Sequence, residues 1–463
     1  MTTTDAVLAA LRYVYRCAVT AAALVILYAV YDVLRQGEPN PSAWALLAVV
    51  GALAVAAAVA AWSRHGVAVS VQTVAIPFLA AVYVFEVRQR DPIDEMLHVS
   101  QFWDLVKARQ AQGPISIQYS PTNFLRHPDS GFTLPGGDRV FVVAPGAANV
   151  QTIMCREGAR PFAEYDADEH GFNNPRGIWG KPVDLVFIGD SMTYGACVAN
   201  RDHFVGQVRE KYPASLNLGV GGIGPLIELA IVREFVPHVR PKYVFYVYDE
   251  NNDLYFVDAA GTPDLANEYH NAILRSYLTD DRFSQRLYER RPEVHAILKQ
   301  YLDSVIAQSL ETRAPHKLAL KFLSLPLTRA SLPPITWRLS ALLASTAAAA
   351  ETESDDFELF KKTFTNMLRT SADAGARFVF VNIPAQVTVC NGVNHPLKKP
   401  VLDFVAQSGV DVIDLEQDYR DAIRTIGREK IFAVPPCGGH FSELGYKMVG
   451  DRLLNYLQMQ DAK

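Results

Sequence analysis

No sustained run of lysine or arginine occurs in this 463-residue chain, and acidic residues outnumber basic ones, 49 to 44, for a net charge of −5. A nucleic acid needs a basic face, so none is expected as a partner. Metal-ligand spacing is also missing: there is no His-x-Glu-x-x-His and no paired Cys-x-x-Cys, so neither a metal site nor a cofactor is expected. No internal repeat is visible, which removes the solenoid architectures. Cysteine is scarce, with five residues. Cys17 falls in an apolar run and leaves Cys155, Cys197, Cys390 and Cys437, an even number that leans toward a compartment permitting disulfides.

Charge is also nearly absent from long stretches of the first ninety residues. Three apolar runs stand there, Cys17–Leu34, Ala43–Trp62 and Val67–Val87, each close to the roughly 20 residues that cross a bilayer. The polar breaks RQGEPNPS and SRHG separate them. One such run would ordinarily be a buried core helix; three in succession predict a transmembrane region over residues 1–90. Arg12 and Arg16 imitate the basic start of a signal peptide, but the runs that follow favour an uncleaved anchor. Three spans put the N-terminus and the soluble part on opposite sides of the bilayer. Arg12, Arg16 and Arg64 then share one side and Arg35, Arg88 and Arg90 the other, so the positive-inside rule gives a tie.

Residues 91–180 begin as a charged, helical connector and continue as a Pro-, Gly- and Asn-rich lead-in that reads as irregular. From Lys181 apolar runs alternate with amphipathic stretches. VDLVFIG, ASLNLGV and KYVFYVY lie in 181–257, ARFVFVNI and VDVIDL in 357–463. Five short β-type runs with helices between them predict a three-layer α/β/α domain with a five-stranded parallel sheet, whose ligands bind beyond the carboxyl ends of the strands. Residues 258–356 carry a helical pattern and read as an insertion. Within it Leu318–Ala350 is apolar but holds Lys321, Arg329, Arg338 and a Pro-Pro pair, which suits the membrane surface better than a fourth span.

Four features fall after the predicted strands. Gly189-Asp190-Ser191 ends the first, so Ser191 sits at a strand-to-helix turn where main-chain N–H groups can meet a developing oxyanion. Asn217-Leu-Gly-Val-Gly-Gly222 follows the second, Glu250-Asn251-Asn252-Asp253 the third, and His440 comes after the last. Taken singly these are a helix N-cap, a glycine turn, a polar loop and a helix-flanking histidine. In the order Ser, Gly, Asn, His at one sheet edge they point to a serine acyl-transfer site.

On these motifs the chain resembles the SGNH (GDSL-type) hydrolases, over about Lys181–Tyr255 and Ala376–Leu457. GDSMTYG, NLGVGG, ENND and GGHFSELGY correspond to the four family blocks. The resemblance implies a flavodoxin-like sheet, Ser191 as nucleophile and His440 as general base. It also implies an oxyanion hole made of the Ser191 N–H, the Gly222 N–H and the Asn252 side chain. The lead-in, with QTIMCREG and DEHGFNNP, is similar to a membrane-anchored bacterial subgroup. That likeness implies a Cys155–Cys197 disulfide, with Cys390–Cys437 as a second bridge. Most of the family place an aspartate three residues before the histidine, where this chain has Cys437. Three readings stay open: a Ser–His dyad, a non-catalytic relative, or an orienting acid from elsewhere, with Asp249, Glu250 and Asp253 as candidates by strand edge. The expected protein is an inner-membrane-anchored esterase or O-acyltransferase facing the periplasm and acting on acyl, above all acetyl, esters of envelope glycans or lipids. The rival is an SGNH-like binding or scaffold protein of an envelope polysaccharide assembly.

Overall fold

The computed structural model describes residues 3–36, 41–62, 67–89, 92–125, 129–158, 160–251, 253, 264–311, 346–394, 397–434 and 437–462. The chain divides into two compact units, Met1–Leu105 with Ala307–Ser345 and Val106–Ile306 with Thr346–Lys463.

In the first unit the apolar runs form helices Thr3–Gln36, Pro41–Trp62 and Val67–Gln89. The first two lie against each other: Trp62 Nε1 donates to Thr20 Oγ1 at 2.9 Å, and Val30 packs on Leu47. Among the described residues two stretches are long and apolar enough to cross a membrane, Ala9–Tyr31 and Ala45–Trp62. In the third helix, which runs unbroken over Val67–Gln89 with Pro77 inside it, the described apolar stretch is Val74–Phe85. Residues 318–345 of the apolar tract in the insertion lie outside the described residues.

In the second unit the lead-in is not irregular, as its composition suggested. It contains β1 (Ile115–Ile117), β2 (Phe132–Thr133), β3 (Arg139–Val140), β4 (Gln151–Ile153) and β5 (Glu164–Asp166). Strand β4 pairs with β1 in parallel and with β5 antiparallel. Strands this short leave little periodicity in the sequence. They are held by burial of Tyr119, Phe132, Ile153 and Tyr165, and by the excursion at 258–356, inserted between two strands of the main sheet. Buried Gln285, for example, accepts from the Phe141 N–H at 2.6 Å and donates back to the Phe141 carbonyl.

The main sheet consists of β6 (Leu185–Gly189), β7 (Ser215–Asn217), β8 (Tyr243–Asp249), β9 (Arg377–Ile383) and β10 (Asp411–Asp414). All are parallel, in the order β10-β9-β8-β6-β7, as the alternating pattern implied. Side chains alternate across it. Phe187, Phe245, Val379 and Val381 share one core with the helices Phe204–Lys211 and Glu443–Asp461. Tyr246, Tyr248, Phe378 and Phe380 face the other way, onto Phe360 and Phe364 of the helix Thr346–Asp373. Burial on both faces is why these strands read as continuous apolar runs. The strand order turns back at β6, and the mouth beyond its carboxyl end is where ligands of such sheets bind. A hairpin of β11 (Phe432–Val434) and β12 (Gly438–Phe441) precedes the final helix.

Phe364 is fully buried and touches the rings of Tyr246, Phe378, Phe380 and Phe404. Phe364→Ala is expected to destabilise the second unit by about 3–5 kcal/mol, read as a lowered midpoint in urea unfolding.

Candidate active site

Ser191 follows β6 directly and opens a one-turn helix, Ser191–Tyr194. Asp190 caps that turn: its Oδ1 accepts the Met192 N–H at 2.9 Å and its Oδ2 accepts the Ser191 hydroxyl at 3.1 Å. No hydrogen bond joins Ser191 to His440 among the described residues, so the hydroxyl rests against its neighbouring carboxylate.

His440 lies on β12. Its Nδ1 is 2.8 Å from Glu157 Oε1, and its main-chain N–H donates to Glu157 Oε2 at 2.7 Å. A residue of the lead-in thus fills the place for which Asp249, Glu250 and Asp253 were candidates, and this corrects those assignments. Each of the three is engaged otherwise. Asp249 Oδ1 accepts the N–H and the side-chain amide of Asn251 at 2.9 and 3.0 Å. Asp253 Oδ2 accepts the Asp249 N–H at 3.1 Å. Glu250 is paired with buried Lys398 at 2.9 Å and accepts the Thr388 hydroxyl.

The charge states differ for the same reason. Burial, then the nearby charge of Asp190, pushes the Asp249 carboxyl up to about 8, and burial raises Asp253 well above the carboxylate range. Both shifts favour the neutral form. Burial alone would raise Glu157 too, but the bonds and charge of His440 outweigh it and hold Glu157 below its ordinary value. Burial likewise works to lower His440, and the Glu157 bond and charge reverse that and raise it above the usual histidine range. With Nδ1 committed to a carboxylate, Nε2 is the ring atom left to accept a proton.

Local structure brings this pair to the sheet edge. Cys155 and Cys197 are disulfide-bonded, which ties the strand leading to Glu157 to the turn after Ser191. Cys197 Sγ, a Glu157 oxygen and a His440 nitrogen lie within 4.8 Å of one another. An oxidised sulfur is not a metal ligand, so this cluster does not make a metal site. Gly439 adopts φ +67°, and a Cβ there would stand 2.8 Å from Glu157 Oε2; glycine is what lets the carboxylate reach the His440 N–H. Arg160 donates to the Glu157 carbonyl at 3.2 Å. The second disulfide, Cys390–Cys437, fastens the His440 hairpin to the segment after β9, where the Gln386 amide also bonds the Gly439 carbonyl.

The glycine loop after β7 reaches the same edge. Gly222 is exposed at φ +70°, and no described residue accepts its N–H or that of Ser191. The loop is braced from both sides. Asn174, in the DEHGFNNP segment, donates to the Asn217 carbonyl at 2.8 Å and accepts the Asn217 N–H at 2.7 Å. Beyond the loop, fully buried Glu268 from the excursion accepts the N–H groups of Gly224, Leu226 and Ile227 at 2.6, 2.9 and 3.3 Å. Asn252 lies outside the described residues.

Glu157 went unrecognised in the sequence although a signal for it existed. An acid two positions from Cys155 is carried toward the turn that bears Ser191 once Cys155 pairs with Cys197. Glu268 left no comparable trace.

The sequence matches no known protein family and no curated protein. Among solved structures it is similar to an acetyl xylan esterase, AlAXEase, at 10% identity over 59% of this chain and 99% of that one, with a TM-score of 0.31. So loose a likeness carries no argument, and the chemistry has to be read from the site.

Replacing both Cys155 and Cys197 by serine is expected to cost about 2–4 kcal/mol, as for a typical disulfide. Chemical denaturation checks the cost, and peptide mapping of unreduced protein should recover Cys155 linked to Cys197 and Cys390 linked to Cys437.

Proposed function

We propose that this protein is a serine esterase or O-acyltransferase of the SGNH type, in which Ser191, His440 and Glu157 act together. The observation that carries this reading is the Glu157–His440 Nδ1 contact at 2.8 Å, beside a serine at the mouth where the strand order turns back. Rotation about χ1 releases the Ser191 hydroxyl from Asp190. His440 Nε2 takes its proton as Oγ attacks the ester carbonyl carbon, and the resulting imidazolium is stabilised by Glu157. The negative oxygen of the tetrahedral intermediate meets the N–H groups of Ser191 and Gly222, with the Asn252 amide as the third donor. Collapse returns the proton from His440 to the departing alkoxide and leaves an acyl-serine. Water or a second hydroxyl then attacks that acyl group with the same base, giving hydrolysis or transfer.

The setting follows from the rest of the chain. Two helices apolar enough to cross a bilayer suit a membrane anchor, and two disulfides suit an oxidising compartment such as the periplasm. The acylated envelope glycan or lipid is the substrate class in keeping with that place. The rival reading, a non-catalytic scaffold, draws on the Ser191 hydroxyl facing Asp190 rather than the imidazole.

A fluorophosphonate probe separates the two: labelling of the wild type that vanishes in Ser191→Ala supports the enzyme, and an unlabelled wild type supports the scaffold. Glu157→Gln should lower kcat by about 10²–10⁴-fold, the range set by loss of an orienting acid. The pH profile gives a sign. His440 is the base and must be neutral, and Glu157 raises its pKa, so the acid limb of wild-type activity should lie above the usual histidine range. In Glu157→Gln that limb should move to lower pH even as the maximum falls. An unmoved limb would mean that Glu157 does not hold the base.

A further inference from the structure

The lead-in contributes a second set of side chains to the active edge. Around the end of β1, Tyr119 and Pro121 are buried while Gln118, Ser120 and Thr122 are only partly covered. The segment is rigidly held, with the Gln118 N–H on the Ile153 carbonyl at 3.1 Å and the Tyr119 N–H on the Pro145 carbonyl at 2.7 Å. Its half-covered side chains stand over the loop that carries Gly222. A Cβ built on Gly222 would be 3.6 Å from Ser120 Oγ and 4.0 Å from Thr122 Oγ1, and one built on Gly221 would collide with Gln118 Nε2. The two hydroxyls lie 2.8 Å apart and share one hydrogen bond.

That single bond leaves most of their capacity unused. Two hydroxyls offer two donors and four acceptor lone pairs. The shared bond takes one of each, and no other described residue bonds either oxygen or the Gln118 amide. Polar groups partly withdrawn from water with no protein partner favour a ligand that brings donors and acceptors of its own, and they disfavour an apolar one, which would leave them unpaired.

We propose that Gln118, Ser120 and Thr122 form a subsite for the alcohol part of the ester, and that this alcohol is a sugar or similar polyol. The inference rests on the reading of Ser191 as nucleophile and Gly222 as oxyanion donor. An ester whose carbonyl oxygen meets the Gly222 N–H carries its remaining groups past that loop, where hydroxyl pairs on a sugar ring match the Ser120–Thr122 pair. Adjacent sugar hydroxyls supply both a donor to Ser120 or Thr122 and an acceptor for the spare hydroxyl proton and the Gln118 amide.

The test compares kcat/KM for methyl 6-O-acetyl-glucoside with that for p-nitrophenyl acetate, in the wild type and in a Ser120→Ala/Thr122→Val double variant. The sugar-to-phenyl ratio is expected to fall about tenfold, the size of one or two lost hydrogen bonds. A ratio that does not change, including one preserved because both activities fall together, overturns the subsite. Binding of the same glucoside to Ser191→Ala protein, followed by saturation-transfer NMR, gives a readout that needs no turnover. Weaker binding on adding the double substitution supports the subsite, and equal binding refutes it even if the wild type proves inactive. Inactivity of the wild type toward both esters, with binding retained, would count against the esterase reading and not against the subsite.

Discussion

One carboxylate receives both the ring and the main chain of one histidine, and the active edge is arranged around that double contact. Glu157 Oε1 faces Nδ1 of His440 and Oε2 takes its N–H, so the bond sets the tautomer and the ring's position together. The neighbouring features serve the same end. Gly439 gives the carboxylate room, one disulfide steers the Glu157 strand, and the other, with the Gln386 bond, restrains the hairpin. Losing His440 would leave Glu157 a partly buried carboxylate without its two donors, a cost larger than the pair itself contributes.

The origin of the acid outside the main sheet has an electrostatic reason. The loop after β8 is rich in acids, but Asp249, Glu250 and Asp253 are almost wholly buried, and Glu228 lies beneath the same edge with its carboxyl raised well above the ordinary range. Such a crowded layer favours the protonated forms of Asp249, Asp253 and Glu228, and neutral acids stabilise an imidazolium poorly. Glu250 is occupied by Lys398. Glu157 arrives from another element, less deeply buried and with two donors from His440, and stays ionised.

The lead-in and the helical excursion are therefore structural parts of the site rather than appendages to a sheet. The lead-in supplies Glu157, Asn174 and the Gln118–Thr122 segment, while the excursion supplies Glu268 and Gln285. Main-chain donors aimed at a ligand are useful only where the loop carrying them is held still. Asn174 and Glu268 hold the Gly222 loop by its own N–H and carbonyl groups.

Much of this was legible without coordinates. Continuous apolar runs identify strands buried on both faces, and their alternation with amphipathic stretches implies a parallel sheet with ligands beyond its carboxyl ends. Ser191 and Gly222 declare themselves because each follows a strand of the main sheet, a local event that short segments encode, whereas His440, expected after the last strand, lies within the short strand β12. The acid was not legible from local pattern, because its bond to His440 joins residues 283 positions apart, and contact at that separation leaves no periodicity in either segment. The sequence by itself determined the strands, the turn bearing Ser191 and the residue types at the sheet edge. Only the tertiary structure decided which carboxylate meets the histidine, since that depends on which acids folding buries into neutrality and which one it leaves charged within reach.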